Sequence, residues 1–274
     1  MSNNNYYNND PEYNNRNRQN NNNNYYNNNN NNNYGNMNTK YNAIEDHNND
    51  SHHSNDLNNF DKELRIAFIQ KVFAILSAQL LFTALICVLS INSQDLTDFL
   101  KKNKAIFYVA MGVALVVSLT LFCFISTARK VPLNYFLLAL FTTAQSYIVS
   151  YLCVTTKTQV VLMALAMTCA LVISLTLYAF ITKTDFTGYG HYLFIASIVM
   201  LVIGLFLTFT HNKIAHVIFS GFSVLLFSIY LIYDVQLIAG NHGSKLDYDD
   251  YIIGSMILYI DIITIFEHIM NILR

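Results

Sequence analysis

Residues 249–274 read DDYIIGSMILYIDIITIFEHIMNILR, an apolar run interrupted near its midpoint by one aspartate, Asp261. A bilayer core of about 30 Å is crossed by about 20 helical residues, so the run is long enough to span. An ionisable side chain near the bilayer centre costs at least ~2.5 kcal/mol on insertion scales, and such groups face a bundle interior or a water-filled cavity. Asp261, Thr264, His268 and Asn271 recur at i, i+3, i+7 and i+10 and share one helical face. The stretch therefore predicts a transmembrane helix whose polar stripe needs partners on other helices.

The preceding apolar run, 214–240, offers such a partner. His216, Ser220, Ser223, Phe227, Tyr230 and Asp234 recur at alternating steps of four and three, a largely polar stripe ending in the string LIYDVQ. Lipid-facing polarity is unfavourable, so both stripes are expected to point into a shared interior, with Asp234 and Asp261 within reach of each other. Two carboxylates in a poorly solvated place do not both ionise readily, and such a pair titrates as a unit. With one proton shared they can hold two helices together; with both ionised they repel unless a cation enters. Hard cations such as Ca²⁺ prefer oxygen ligands, so the same pair is a candidate proton sensor, ion gate and transient calcium site. The alternative is that each aspartate accepts hydrogen bonds from Tyr, Ser or Thr and only fixes packing.

Gln145, Ser220, Ser223, Tyr230, Thr264 and His268 are candidates for lining that interior. For Gln145 and its neighbour Thr142, interhelical hydrogen bonding is the competing role. Glu267 and His268 lie near the chain end, where a solvated interfacial position is the simpler expectation.

Outward from these two runs the same pattern repeats. Apolar segments at 66–91, 105–126, 133–154, 159–182 and 191–210 precede them, making seven candidate spans joined by short polar links. The expected fold is an all-α, seven-helix transmembrane bundle over 60–274. Residues 1–59 contain 28 asparagines and few aliphatic side chains; they bury too little apolar area to offset the entropy of ordering and are expected to be disordered. The averages agree: 53% hydrophobic and 12% charged residues, half the roughly 25% charge of soluble domains. A net charge of −1 gives no basic footprint, so nucleic acid is not an expected partner.

Lysines and arginines divide almost evenly between the two sides, leaving orientation open under the positive-inside rule. The polar N-terminus makes the first apolar helix the expected membrane signal. Cys87, Cys123, Cys153 and Cys169 fall in apolar runs without CxxC spacing and are read as small buried packing residues. Ser244, Asp247, Asp249 and Asp250 are expected to cap the last helix, and Lys71 to snorkel.

The chain resembles the Bax inhibitor motif proteins, nearest their Lifeguard branch. The strings that carry the resemblance are FIQKVFAILSAQLLFTALI at 68–86, NYFLLALFTTAQSY at 134–147, ITKTDFT at 181–187, YDVQLIAGN at 233–241 and DDYIIGSMILYIDIITIFEHIMNIL at 249–273. The resemblance covers about 66–274 and implies a seven-helix bundle with the last helix at its centre, in an intracellular membrane, endoplasmic reticulum or Golgi before plasma membrane. It also implies a pH-sensitive Ca²⁺ leak and restraint of cell death. The family's two acidic positions fall on Asp234 and Asp261. Many relatives carry a glutamate where this chain has Gln145. The arginine that latches the acidic pair in bacterial relatives has no counterpart within 105–126, which Arg129 only borders.

The leading expectation is a Ca²⁺ leak channel gated by the aspartate pair, with calcium as permeant ion, membrane lipid as surroundings and no cofactor. The alternative is a non-conducting protein that binds other membrane proteins of stress or cell-death pathways. An intramembrane aspartyl protease is disfavoured: Asp261 follows LYI rather than GxG, and no Pro-Ala-Leu segment is present.

Overall fold

The computed structural model describes residues 59–210, 212–240 and 245–274. The Asn-rich tail lies outside them except for Asn59, and so does Ser244. The bundle is the compact unit Glu63–Arg274; of the other unit, Met1–Lys62, only the first turn of a helix is described.

The described residues form α1 (Asn59–Asn92), α2 (Gln94–Lys102), α3 (Lys104–Cys123), α4 (Ile125–Ala128), α5 (Leu133–Val154), α6 (Thr158–Ile181), α7 (Gly190–Thr208), α8 (Lys213–Ala239) and α9 (Tyr251–Leu273), and no strand. A single 3₁₀ turn, Thr187–Tyr189, leads into α7. Seven of these helices, α1, α3, α5, α6, α7, α8 and α9, are long and apolar enough to cross a membrane. The chain is a multi-pass membrane protein of all-α class.

Each expected span corresponds to one of these helices, with differences at the ends. The first begins at Asn59 rather than residue 66. The first link is not a plain loop: α2 lies within it, its N-cap Ser93 accepting from the Leu96 amide and its last turn carrying Lys101 and Lys102, charges that suit a helix C-terminus. The second span stops at Cys123, because Phe124 (φ −115°, ψ 72°) leaves the helical region and the one-turn α4 follows. Apolar composition alone does not reveal such a break.

Packing ranks the helices. In α9, 67% of the most apolar stretch is enclosed, against 6% in α7; α9 is the inner helix and α7 a peripheral one. Among α2–α9 the α8–α9 contact is the most extensive, and α9 also meets α5 and α6, while α3 lies on α5 and α7 on α8. Ala110, Ala114, Val117 and Leu121 form the buried seam of α3, the alanines allowing the close approach that membrane helices favour. Gly254 does the same on α9: a Cβ there would lie 3.2 Å from Val72 Cγ2 of α1.

At the end of the bundle where α8 finishes and α9 starts, polar contacts hold the links. Gly240 ends α8 in the left-handed region (φ 67°), and the Arg65 guanidinium donates to the carbonyls of Ile238 (3.4 Å) and Leu246 (3.0 Å). The Ile238 carbonyl is one that a helix C-terminus leaves unpaired, and the Leu246 carbonyl ties the following link to the same guanidinium. Gln236 donates to the Thr184 carbonyl and accepts from the Phe186 amide, fixing the link before α7 to α8.

One expectation for this end is corrected. Asp250 occupies the N-cap of α9 without a side-chain capping bond, because Arg129 takes its carboxylate through Nε (2.7 Å) and Nη2 (2.8 Å) and also reaches Asp247 (2.8 Å). Lys71 is surface-exposed as a snorkelling lysine would be, but its ammonium lies over the Tyr251 ring, 3.2 Å from the centroid.

Candidate functional site

Asp234 and Asp261 are buried, 6% and 3% exposed. Their helices make the most extensive contact among α2–α9, and the two carboxyl groups come within hydrogen-bonding reach of each other. Asp261 Oδ2 is enclosed and has no hydrogen-bond partner among the described residues. Among the described ion pairs are those of Arg129 with Asp247 and Asp250, so the one arginine bordering the second span is committed to the link rather than to the pair. Two carboxylates this close in a poorly solvated place do not both ionise readily, so the arrangement is one in which the charge state of either group depends on the other.

The remaining candidates divide into those gathered along α8 and α9 and those that are not. Tyr230, one turn before Asp234, reaches Ser197 of α7. Ser220 is fully buried and accepts from Asn271 Nδ2 (2.7 Å), with His268 Nδ1 at 3.3 Å; the lower halves of the two stripes do face each other. Thr264, Ser223 and His268 line a crevice of about 470 Å³ between α7, α8 and α9. His216 does not join them, bonding instead to the Thr210 carbonyl (2.8 Å). Gln145 is half-buried on α5, and no hydrogen bond among the described residues joins it to the carboxyl pair.

Glu267 corrects an expectation. It is half-buried rather than solvated and lines a cavity of about 180 Å³ with Thr156, His268, Asn271 and Arg274. His268 borders both spaces. A polar face thus runs along α9 from Asp261 past Thr264 and His268 to the cavity at its C-terminal end.

A second polar cluster was anticipated only at Thr142, whose expected interhelical bonding it shows. Gln79 Nε2 donates to Thr142 Oγ1 (2.9 Å), Thr83 and Ser146 share a hydroxyl bond (2.9 Å), and Ser150 Oγ donates to Cys87 Sγ (3.4 Å), each pair separated by 63 residues. A constant offset one turn apart means that α1 and α5 run parallel in register. Tyr259 of α9 joins at Thr83 (2.8 Å) and packs edge-on to Phe141. The spacing Gln79, Thr83, Cys87 against Thr142, Ser146, Ser150 was present in the sequence. Thr and Ser also back-bond to their own helix, as Thr83, Thr142 and Ser146 do here, so spacing alone does not mark them as interhelical.

The cysteines are not uniformly buried: Cys123 and Cys169 are exposed, Cys87 is intermediate and Cys153 buried.

A seven-helix membrane bundle organised on an inner last helix, with a buried carboxyl pair between its final two spans, is the class of protein that fold and site define. Over residues 65–274 the chain matches the family described as "Inhibitor of apoptosis-promoting Bax1". It is 33% identical over 217 residues to human protein lifeguard 3, covering 78% of this chain and 70% of that one. The mouse protein lifeguard 3 is 32% identical over 215 residues, with 77% and 70% covered. The Arabidopsis thaliana BI1-like protein is 36% identical over 220 residues, with 78% and 82% covered. The chain belongs to this Bax inhibitor family.

Proposed function

We propose that this protein is a proton-gated cation leak in an intracellular membrane, endoplasmic reticulum or Golgi, with Ca²⁺ as the permeant ion and Asp234 and Asp261 as the gate. The observation that carries this reading is the buried, facing carboxyl pair with one oxygen unpartnered and no arginine or lysine among its described contacts. While a proton is shared, the pair ties α8 to α9. When it leaves, repulsion separates the two helices, and a hard cation with oxygen preference can take its place. Tyr230 and Tyr233 are the titratable neighbours of the pair on α8. The polar face of α9 past Thr264 and His268 supplies the route toward the cavity at Glu267. Through luminal calcium such a leak would act on cell death, the process named in the family's description.

Raising the pH removes the shared proton and opens the path, so flux rises from mildly acidic to mildly alkaline conditions. The test is Ca²⁺ entry into liposomes containing only this purified protein, at two pH values, for the natural chain and Asp261→Asn. No protein-dependent flux, or the same pH profile in both, removes the gate.

A second reading has one specific observation behind it: the family description names inhibition of a protein. A non-conducting protein that engages cell-death membrane proteins would give silent liposomes while still binding such partners.

A further inference from the structure

Cys87 lies near the end of α1 and Cys153 near the end of α5, two helices held parallel by bonds at a constant 63-residue offset. That register sets Cys87 beside Ser150, which donates to its sulfur at 3.4 Å, and Cys153 follows Ser150 by three residues on the same helix. The two thiols come within hydrogen-bonding reach of each other. Their surroundings differ: Cys153 is 2% exposed and Cys87 is half-buried, so a small oxidant meets Cys87 first. The other two thiols have no such neighbour, since Cys123 ends α3 at the opposite end of the bundle and Cys169 lies on the exposed side of α6.

We propose that Cys87 and Cys153 form a modification site, a dithiol that hydrogen peroxide converts into a disulfide tying α1 to α5. Cys87 Sγ attacks one peroxide oxygen, the O–O bond breaks, and the leaving hydroxide takes the thiol proton away as water. The sulfur is then a sulfenic acid. Cys153 Sγ displaces the hydroxyl from that sulfur, the S–S bond forms, and the hydroxyl leaves with the Cys153 proton as a second water. Two thiols are oxidised by two electrons and one peroxide is reduced. Closure brings the sulfurs to about 2.05 Å, which shortens a contact already made and asks for no exchange of helix partners. The ladder above the site, Gln79–Thr142 and Thr83–Ser146, is locked in register by the bond.

The test uses the full-length protein in lipid vesicles, treated with hydrogen peroxide and then with N-ethylmaleimide in denaturant. The reduced chain takes up four alkyl groups, one per cysteine. The oxidised chain is expected to take up two, to lose two hydrogen atoms in intact mass, to yield a linked peptide joining Cys87 to Cys153, and to return to four after dithiothreitol. The Cys123→Ser/Cys169→Ser variant, which keeps the ladder, is expected to go from two alkyl groups to none. Four alkyl groups after peroxide, three with oxygen retained on Cys87, or a linked peptide that includes Cys123 or Cys169 would each overturn the proposal.

Discussion

At the scale of single residues, the account rests on two buried carboxyls that face each other with no basic partner among their described contacts. Replacing one with an amide keeps shape and a hydrogen bond but removes the titration. Asp261→Asn is therefore expected to fold, to hold α8 against α9 at any pH, and to lose the rise of Ca²⁺ flux between mildly acidic and mildly alkaline vesicles. Both aspartates were legible in the sequence, because a charge inside an apolar run is costly enough to require a reason. Thr83 was not legible, since a helical threonine satisfies itself on its own backbone and its bonds to Ser146 and Tyr259 depend on which helices meet. Thr83→Val leaves those two buried hydroxyls short of a partner and is expected to lower stability by about 1 kcal/mol, read as a shift in detergent-unfolding midpoint. Glu267 was misread for a related reason: nearness to the chain end does not say which way a helix face points, and α9 is enclosed nearly to its last turn.

At the scale of helices and links, hydropathy marked the spans well and their ends less well. Length and apolar content are properties of a segment, whereas the break at Phe124 and the helix Gln94–Lys102 depend on local backbone and capping. The link Asn241–Asp250 was read as a helix cap, yet its acids serve Arg129 across the bundle. That guanidinium is pushed above its ordinary value, first by its bond to Asp250, so it stays charged at every physiological pH and the clamp gains no pH dependence from its cation. Arg129→Ala is expected to leave the carboxyl pair intact while loosening the start of α9, measured as faster hydrogen exchange at Gly254 and Ser255 and a weaker dependence of that exchange on salt. On α9 itself, Gly254→Val drives a side chain into Val72 and Ile238. The expected loss is about 1–3 kcal/mol, the usual range for overpacking, with Gly254→Ala milder because one methyl meets a neighbour that can give by tenths of an ångström.

At the scale of the whole molecule, the last helix carries both the enclosed core and the polar face, so stability and the proposed conduction would share one element. Lipid-facing α3, α6 and α7 enclose few side chains, and the polar ladder on α1 and α5 stands on one side of α9 while the carboxyl pair stands on the other. An opening that begins at Asp234 and Asp261 can therefore move α8 without breaking the α1–α5 register. The most direct measurement of the central claim is Ca²⁺ entry into liposomes containing only the purified chain, recorded at mildly acidic and mildly alkaline pH for the natural protein and for Asp234→Asn and Asp261→Asn. The account expects flux in the natural protein that increases with pH and a flattened profile in both variants; absence of flux, or an unchanged profile in both variants, would contradict it.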